Sequence, residues 1–181
     1  AYENEQYSKA LQYLTTARSR NLESFRLMHL IANCYKKLLK IEEMLQLFDE
    51  MEQAYSDSLT NNIVDILESL VEFHFYEKAL EMMENKWETF ADSVKPKLLL
   101  IKADIYLTRM EYQEAENALQ QILKMEIGPS DVHALTLYRL GQLKLEQKDF
   151  ETAKFWFEKL LKEYPYSKFV YQTEEYLKQL P

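Results

Sequence analysis

Residues 134–167 read ALTLYRLGQLKLEQKDFETAKFWFEKLLKEYPYS, and the way this stretch folds settles how the rest of the chain is read. Apolar residues recur at helical spacing on both sides of a polar turn at residues 146–148. Two antiparallel helices approach closely only where the facing side chains are small, and Gly141 and Ala153 supply that clearance. Asp149 and Phe150 begin the second helix. Pro165 ends it, because proline has no N–H to donate and disfavours helix in the residue before it.

The same residues match a known pattern. A tetratricopeptide repeat is a helix–turn–helix unit of about 34 residues that reads W-x2-L-G-x2-Y, then A-x3-F, then P. Leu137 stands in the Trp slot, followed by Leu140 and Gly141, Ala153, Phe157 and Pro165, while Lys144 departs from the Tyr slot. The stretch therefore resembles one tetratricopeptide repeat. That resemblance implies an all-α fold, a right-handed superhelical array of antiparallel helix pairs, and protein binding as the class of function.

Working outward, the small or apolar residues equivalent to Ala153 are Ala115, Ala79, Met44 and Ala10, at successive spacings of 38, 36, 35 and 34 residues. Unrelated helical hairpins would have no reason to keep that register. The chain then reads as one repeat domain, 1–181: a leading half-repeat at 1–22, repeats at 25–55, 60–90, 96–127 and 134–167, and a capping helix at 168–180. In repeat 25–55, Met28, Ile31, Ala32 and Tyr35 recur at helical spacing before a turn near Lys40, and Met44, Leu47, Phe48 and Met51 follow it. In repeat 60–90, Leu67 stands where a small residue is expected. Pro96 opens the next repeat at a first helical turn, where its missing N–H costs nothing. Residues 127–131 form a loop in which Ser130 or Asp131 caps the following helix. The half-repeat leaves Tyr7, Leu11 and Leu14 on a face with no preceding helix, which offers a surface for self-association.

Composition narrows the partners. The 181 residues include 2 Gly and 4 Pro, 47% hydrophobic and 29% charged, as expected of helices joined by short turns. The net charge of -8 repels phosphate backbones and argues against nucleic acid. No run approaches the ~20 apolar residues of a membrane span. Two glycines cannot build a phosphate-cradling loop, and His29, His74 and His133 form no H-E-x-x-H. Glu68 and Glu72 share a helix face that His74 leaves, so no metal site is expected. Cys34, the single cysteine, reads as a small buried hydrophobe. We therefore expect no catalytic residues and no cofactor.

In tetratricopeptide arrays the first helix of each repeat lines an inner groove. Carried over, the resemblance implies groove positions at Arg26, His29, Asn33, Lys36 and Lys37, then Asn61, Val64, Glu68, Val71 and Glu72. It continues with Lys97, Leu100, Asp104, Leu107 and Thr108, then Leu135, Tyr138, Gln142, Leu145 and Glu146. Such a groove starts basic, turns acidic, and ends apolar at Leu107, Leu135, Tyr138 and Leu145. An apolar groove end calls for a partner peptide or helix, unless Phe169 and Tyr176 of the capping helix fold over it. The chaperone co-factors of the family clamp a C-terminal carboxylate with Lys and Asn. Asn33 and Lys97 fit that role, but His29 replaces a Lys, and Glu68 and Glu72 would repel the carboxylate. Phe155, Trp156 and Phe157 cannot all face one way, since the first two lie roughly 200 and 100 degrees from Phe157. Either Phe155 or Trp156 packs on the capping helix, or one makes a dimer contact.

The expected function is a non-catalytic scaffold that binds a peptide or helix of a partner protein. The Tyr164–Pro165–Tyr166–Ser167 junction resembles the Y-P-x-S junctions of bacterial cell-envelope assembly and division proteins, which implies a bacterial source and a periplasmic or membrane-anchored setting. The rival expectation is a sensory domain that binds a peptide signal and controls an effector.

Overall fold

The computed structural model describes residues 2–20, 22–55, 58, 60, 62–125 and 131–180. Among the described residues every regular element is a helix and none is a strand. The chain divides into two compact units, Ala1–Phe90 and Ala91–Pro181.

The first unit holds α1 (Tyr2–Ser19), α2 (Phe25–Lys37), α3 (Ile41–Ala54), α4 (Ile63–Glu72) and α5 (Tyr76–Asn85), then a short 3-10 turn at Trp87–Thr89. Ser24 starts α2 by accepting the Leu27 N–H on its hydroxyl at 3.3 Å, satisfying one of the free donors of the first turn. The helix then buries Met28, Ile31, Ala32 and Cys34, and packs on α3, which buries Met44, Leu47, Phe48 and Met51. Helices α4 and α5 contribute Ile63, Ile66, Leu67 and Leu70 with Ala79, Met82 and Met83. Leu67 is completely buried. Helix α1 packs on α2, and Tyr7, Leu11 and Leu14 are half-buried.

The second unit holds α6 (Lys95–Thr108), α7 (Tyr112–Lys124), α8 (Asp131–Glu146), α9 (Phe150–Glu163) and α10 (Val170–Gln179). Pro96 lies in the first turn of α6. Asp149 caps α9 by accepting the Thr152 N–H at 3.2 Å, and the helix stops at Glu163, ahead of Pro165. Helices α8 and α9 pack tightly through Leu137, Leu140 and Gly141 against Ala153, Phe157 and Leu160. Helix α10 lies on α9 and buries Thr173, whose hydroxyl donates to the Phe169 carbonyl at 2.7 Å.

Four helical hairpins turn by one device. Leu39, His74, Met110 and Lys148 all adopt left-handed backbone, with φ of 56, 63, 61 and 60°. The N–H of the next residue reaches back to the helix in each case: Lys40 to Tyr35 (2.9 Å), Phe75 to Leu70 (2.9 Å), Glu111 to Tyr106 (2.8 Å) and Asp149 to Lys144 (2.9 Å). This six-to-one bond is the Schellman closure of a helix C-terminus. The four positions are 35, 36 and 38 residues apart, the same spacings that separate Met44, Ala79, Ala115 and Ala153. The loop and Ser130 cap expected at 127–130, and residues 56, 57, 59 and 61 between α3 and α4, lie outside the described residues.

Candidate protein-binding groove

On α2 the buried stripe of Met28, Ile31 and Ala32 fixes which residues face out. Arg26, Leu30, Asn33 and Lys37 fall roughly 140 to 200 degrees from Met28 around the helix, so they form one outward row. Leu30 is 46% exposed. Phe25, Arg26, His29, Leu30 and Asn33 of this face, with Asn62 and Asp65 at the start of α4, line a cleft of about 490 Å³. Its end wall is aromatic: the Phe25 ring stands edge-on to His29 at 5.8 Å and to Tyr55 at 6.3 Å. Among the described residues, Arg26, Asn33 and Lys37 have no hydrogen bond or ion pair, so their polar groups are free for a ligand.

The acidic positions of α4 are divided. Glu72 is taken by Lys36, whose ammonium lies 2.6 Å from its carboxylate and also donates to Ser69 Oγ at 3.2 Å. Glu68 is exposed and unpaired among the described residues. The basic end expected from Lys36 and Lys37 is therefore carried by Lys37 and Arg26 alone. His74 follows α4 in the left-handed turn, and its Nδ1 lies 2.6 Å from the Tyr76 hydroxyl. Among the described residues no three His, Cys, Asp or Glu side chains are arranged to hold a metal ion.

In the second unit the corresponding polar residues bind one another. Arg139 pairs with Asp104 at 3.2 Å, and Gln142 donates to the Tyr176 hydroxyl at 3.3 Å. Burial pushes the Asp104 carboxyl above its ordinary value, and the Arg139 charge opposes that shift. Lys97 is exposed, and Leu107, Leu135 and Leu145 are half-buried. Tyr138 does not present a bare ring to a groove. Phe169 stacks on it at 5.1 Å, with Tyr176 at 6.1 Å and Phe157 at 6.3 Å, so the capping helix and the turn before it cover that end. Burial, then the Tyr176 hydroxyl, raise the Tyr138 phenol above its ordinary value.

Paired helices with small residues at their crossing, turns in a constant register, and a capping helix are now in view, and residues 101–168 match the family model described as tetratricopeptide repeat. That match covers the stretch from α6 to the turn before α10. Repeats of this family generally mediate protein–protein interaction. Among solved structures, a thermophilic TPR protein of Thermus thermophilus is 18% identical, covers 97% of this chain and 93% of its own, and superposes with a TM-score of 0.61. The fold is thus that of a tetratricopeptide α-solenoid. No curated protein sequence matches the chain. No helix among the described residues is long and apolar enough to cross a membrane.

Within the first tetratricopeptide-like pair, the sequence reading reached Arg26, His29 and Asn33 but missed Leu30, Phe25 and Asp65. The signal for Leu30 was present: a leucine set roughly 200 degrees from Met28 lies opposite the buried stripe, where leucine has no packing reason to be. Phe25 and Asp65 gave no such signal, because they enter the cleft only through the placement of α2 beside α4.

Proposed function

We propose that the chain is a non-catalytic scaffold that binds a peptide or helix of a partner protein on the groove-facing residues of its repeats, with the α2–α4 cleft as the principal contact. The observation that carries this reading is the concavity of about 490 Å³ that joins an exposed leucine, Leu30, to two unpaired polar side chains, Arg26 and Asn33. Apolar surface held open beside free donors is what a peptide with an apolar anchor and an acidic neighbour would recognise. Lys37 and Glu68, both exposed, extend the row and favour a segment carrying charges of both signs. Lys97, Leu107, Leu135 and Leu145 supply groove positions of the second unit in the same reading. Asp104, Tyr138 and Gln142 serve there by holding the wall rather than by touching the ligand.

Selection of a displayed random-peptide library against the wild-type chain, compared with an Arg26→Glu, Leu30→Glu variant, tests it. The expected result is a set of peptides with an acidic residue next to an apolar anchor, bound by wild type and lost by the variant while its circular dichroism is unchanged. Equal binding by both proteins would remove the cleft from consideration. The Tyr164–Pro165–Tyr166–Ser167 junction supports a bacterial-envelope setting for this scaffold. Recovery of the native protein in a cytoplasmic fraction free of envelope would count against that setting.

A further inference from the structure

The outer face of α9 carries a feature that the repeat architecture does not use. Phe157 is completely buried against α8, whereas Phe155 is 55% exposed on the opposite side of the same helix. The Phe155 ring stands edge-on to Trp156 at 4.9 Å, and the Lys159 ammonium lies 5.6 Å from the Trp156 ring centre. Beside Phe155 lies an open hollow of about 350 Å³, lined also by Glu158, Lys159, Lys162 and Glu163, room enough for an incoming aromatic ring. An aromatic pair held at the surface of a helix next to a hollow marks a contact surface.

Charge identifies the occupant. Glu151 lies four residues before Phe155 and Lys159 four residues after, one full helical turn on each side and of opposite sign. Neither has an ion-pair partner among the described residues. If a second α9 runs antiparallel across the first about a two-fold axis through Phe155, Phe155 meets its own copy. The two Trp156 rings then flank that contact, and each Lys159 comes level with the other copy's Glu151. The Glu151 and Lys159 contacts are complementary to themselves, as a two-fold contact requires, and lie nearer its centre than Lys148 and Lys162, which the same axis brings level with each other at the rim. We infer that the outer face of α9 is a self-association surface whose partner is a second copy of this chain, centred on Phe155.

One helix pair buries less than the roughly 1,200 Å² of a standard interface, so the dimer is weak and forms at roughly 100 µM or above. Sedimentation equilibrium from roughly 5 µM to 1 mM tests it. Wild type should pass from monomer to dimer across that range, and Phe155→Glu should remain monomeric throughout. Glu151→Lys and Lys159→Glu should each weaken the dimer by roughly tenfold, since each breaks two symmetry-related pairs. Glu151 is exposed and Lys159 half-buried beside Trp156, so circular dichroism of each variant checks that the fold is kept. The double variant Glu151→Lys, Lys159→Glu exchanges the charges and should return the association to within about threefold of wild type. A wild type that stays monomeric to the highest concentration overturns the inference. So does a dimer indifferent to all four variants, which would move the contact to another face such as that of Tyr7, Leu11 and Leu14 on α1.

Discussion

Gly141 and Phe157 are so close that a methyl group on Gly141 would lie 2.3 Å from Cε1 of the ring and 2.5 Å from Cδ1. The ring cannot give way cheaply, because it is fully buried and stacked on Tyr176 at 5.4 Å with the planes 4° apart. Two effects oppose each other in Gly141→Ala. Alanine is better than glycine inside a helix by about 1 kcal/mol, whereas forcing a methyl into a filled site costs about 1–3 kcal/mol. With an overlap this deep the second wins, and we expect a net loss of about 1–2 kcal/mol, read as a lower urea midpoint. Adding Phe157→Leu should recover part of the Gly141→Ala loss. Simple addition of the two losses would mean that the close approach is not what the glycine serves.

The left-handed turns make the opposite prediction. Leu39 and Met110 hold φ of 56 and 61° although a β-carbon in that region costs about 1–2 kcal/mol. Their side chains are 73% and 74% exposed, so little packing is at stake. Part of the gain from glycine is returned through its greater freedom in the unfolded chain. Leu39→Gly and Met110→Gly should therefore each stabilise by about 0.5–1 kcal/mol. Leu38→Gly is the control: Leu38 has φ of -89° and gains nothing from glycine, so it should destabilise. If all three substitutions destabilise alike, the strain at Leu39 and Met110 is not relieved by removing the β-carbon.

These two cases mark where the sequence could be read and where it could not. Gly141, Ala153, Phe157 and Pro165 each meet a steric need that shows in a single chain: clearance, filling and termination. The left-handed turns were hidden because Leu39, His74, Met110 and Lys148 are not glycines, and only their register betrays them. Lys36 and Glu72 lie 36 residues apart, and Arg139 and Asp104 lie 35 apart. The groove positions include Lys36, Glu72 and Asp104 but not Arg139, and only the packing of one pair on the next reveals that Lys36 neutralises Glu72 and Arg139 neutralises Asp104. Tyr138 was ambiguous for the same reason. Whether its ring faces a groove or a cap depends on Phe169 and Tyr176, which the pattern within its own repeat does not position.

Helix α10 should therefore contribute to the stability of α8 and α9 rather than hang from them. Tyr176 stacks on Phe157, lies 6.1 Å from Tyr138, and accepts the Gln142 amide through its hydroxyl. Tyr176→Ala removes the ring and is expected to cost about 2–3 kcal/mol, with faster amide exchange in α8. Tyr176→Phe keeps the ring and loses only the hydrogen bond, costing about 0.5–1 kcal/mol. Equal effects of the two would show that the ring contributes nothing beyond its hydroxyl.

Cys34 links burial to an alkaline limit on stability. It is buried in α2, and that burial pushes its thiol above the ordinary thiol range. At a pH below the unfolded thiol value of about 8.5, both folded and unfolded chains keep the proton and stability is unaffected. Above it the unfolded chain releases a proton that the folded chain retains, so stability falls as pH rises through the folded value. Burial raises the Tyr138 and Tyr164 phenols as well, which adds a fall in the same direction from about pH 10. Urea midpoints should accordingly decline between about pH 8 and 10, and less steeply in Cys34→Ala than in wild type. The same burial predicts that a water-soluble disulfide reagent labels Cys34 slowly in native buffer and rapidly in urea. Fast native labelling, or identical alkaline declines in the two proteins, would show that the thiol is open to solvent.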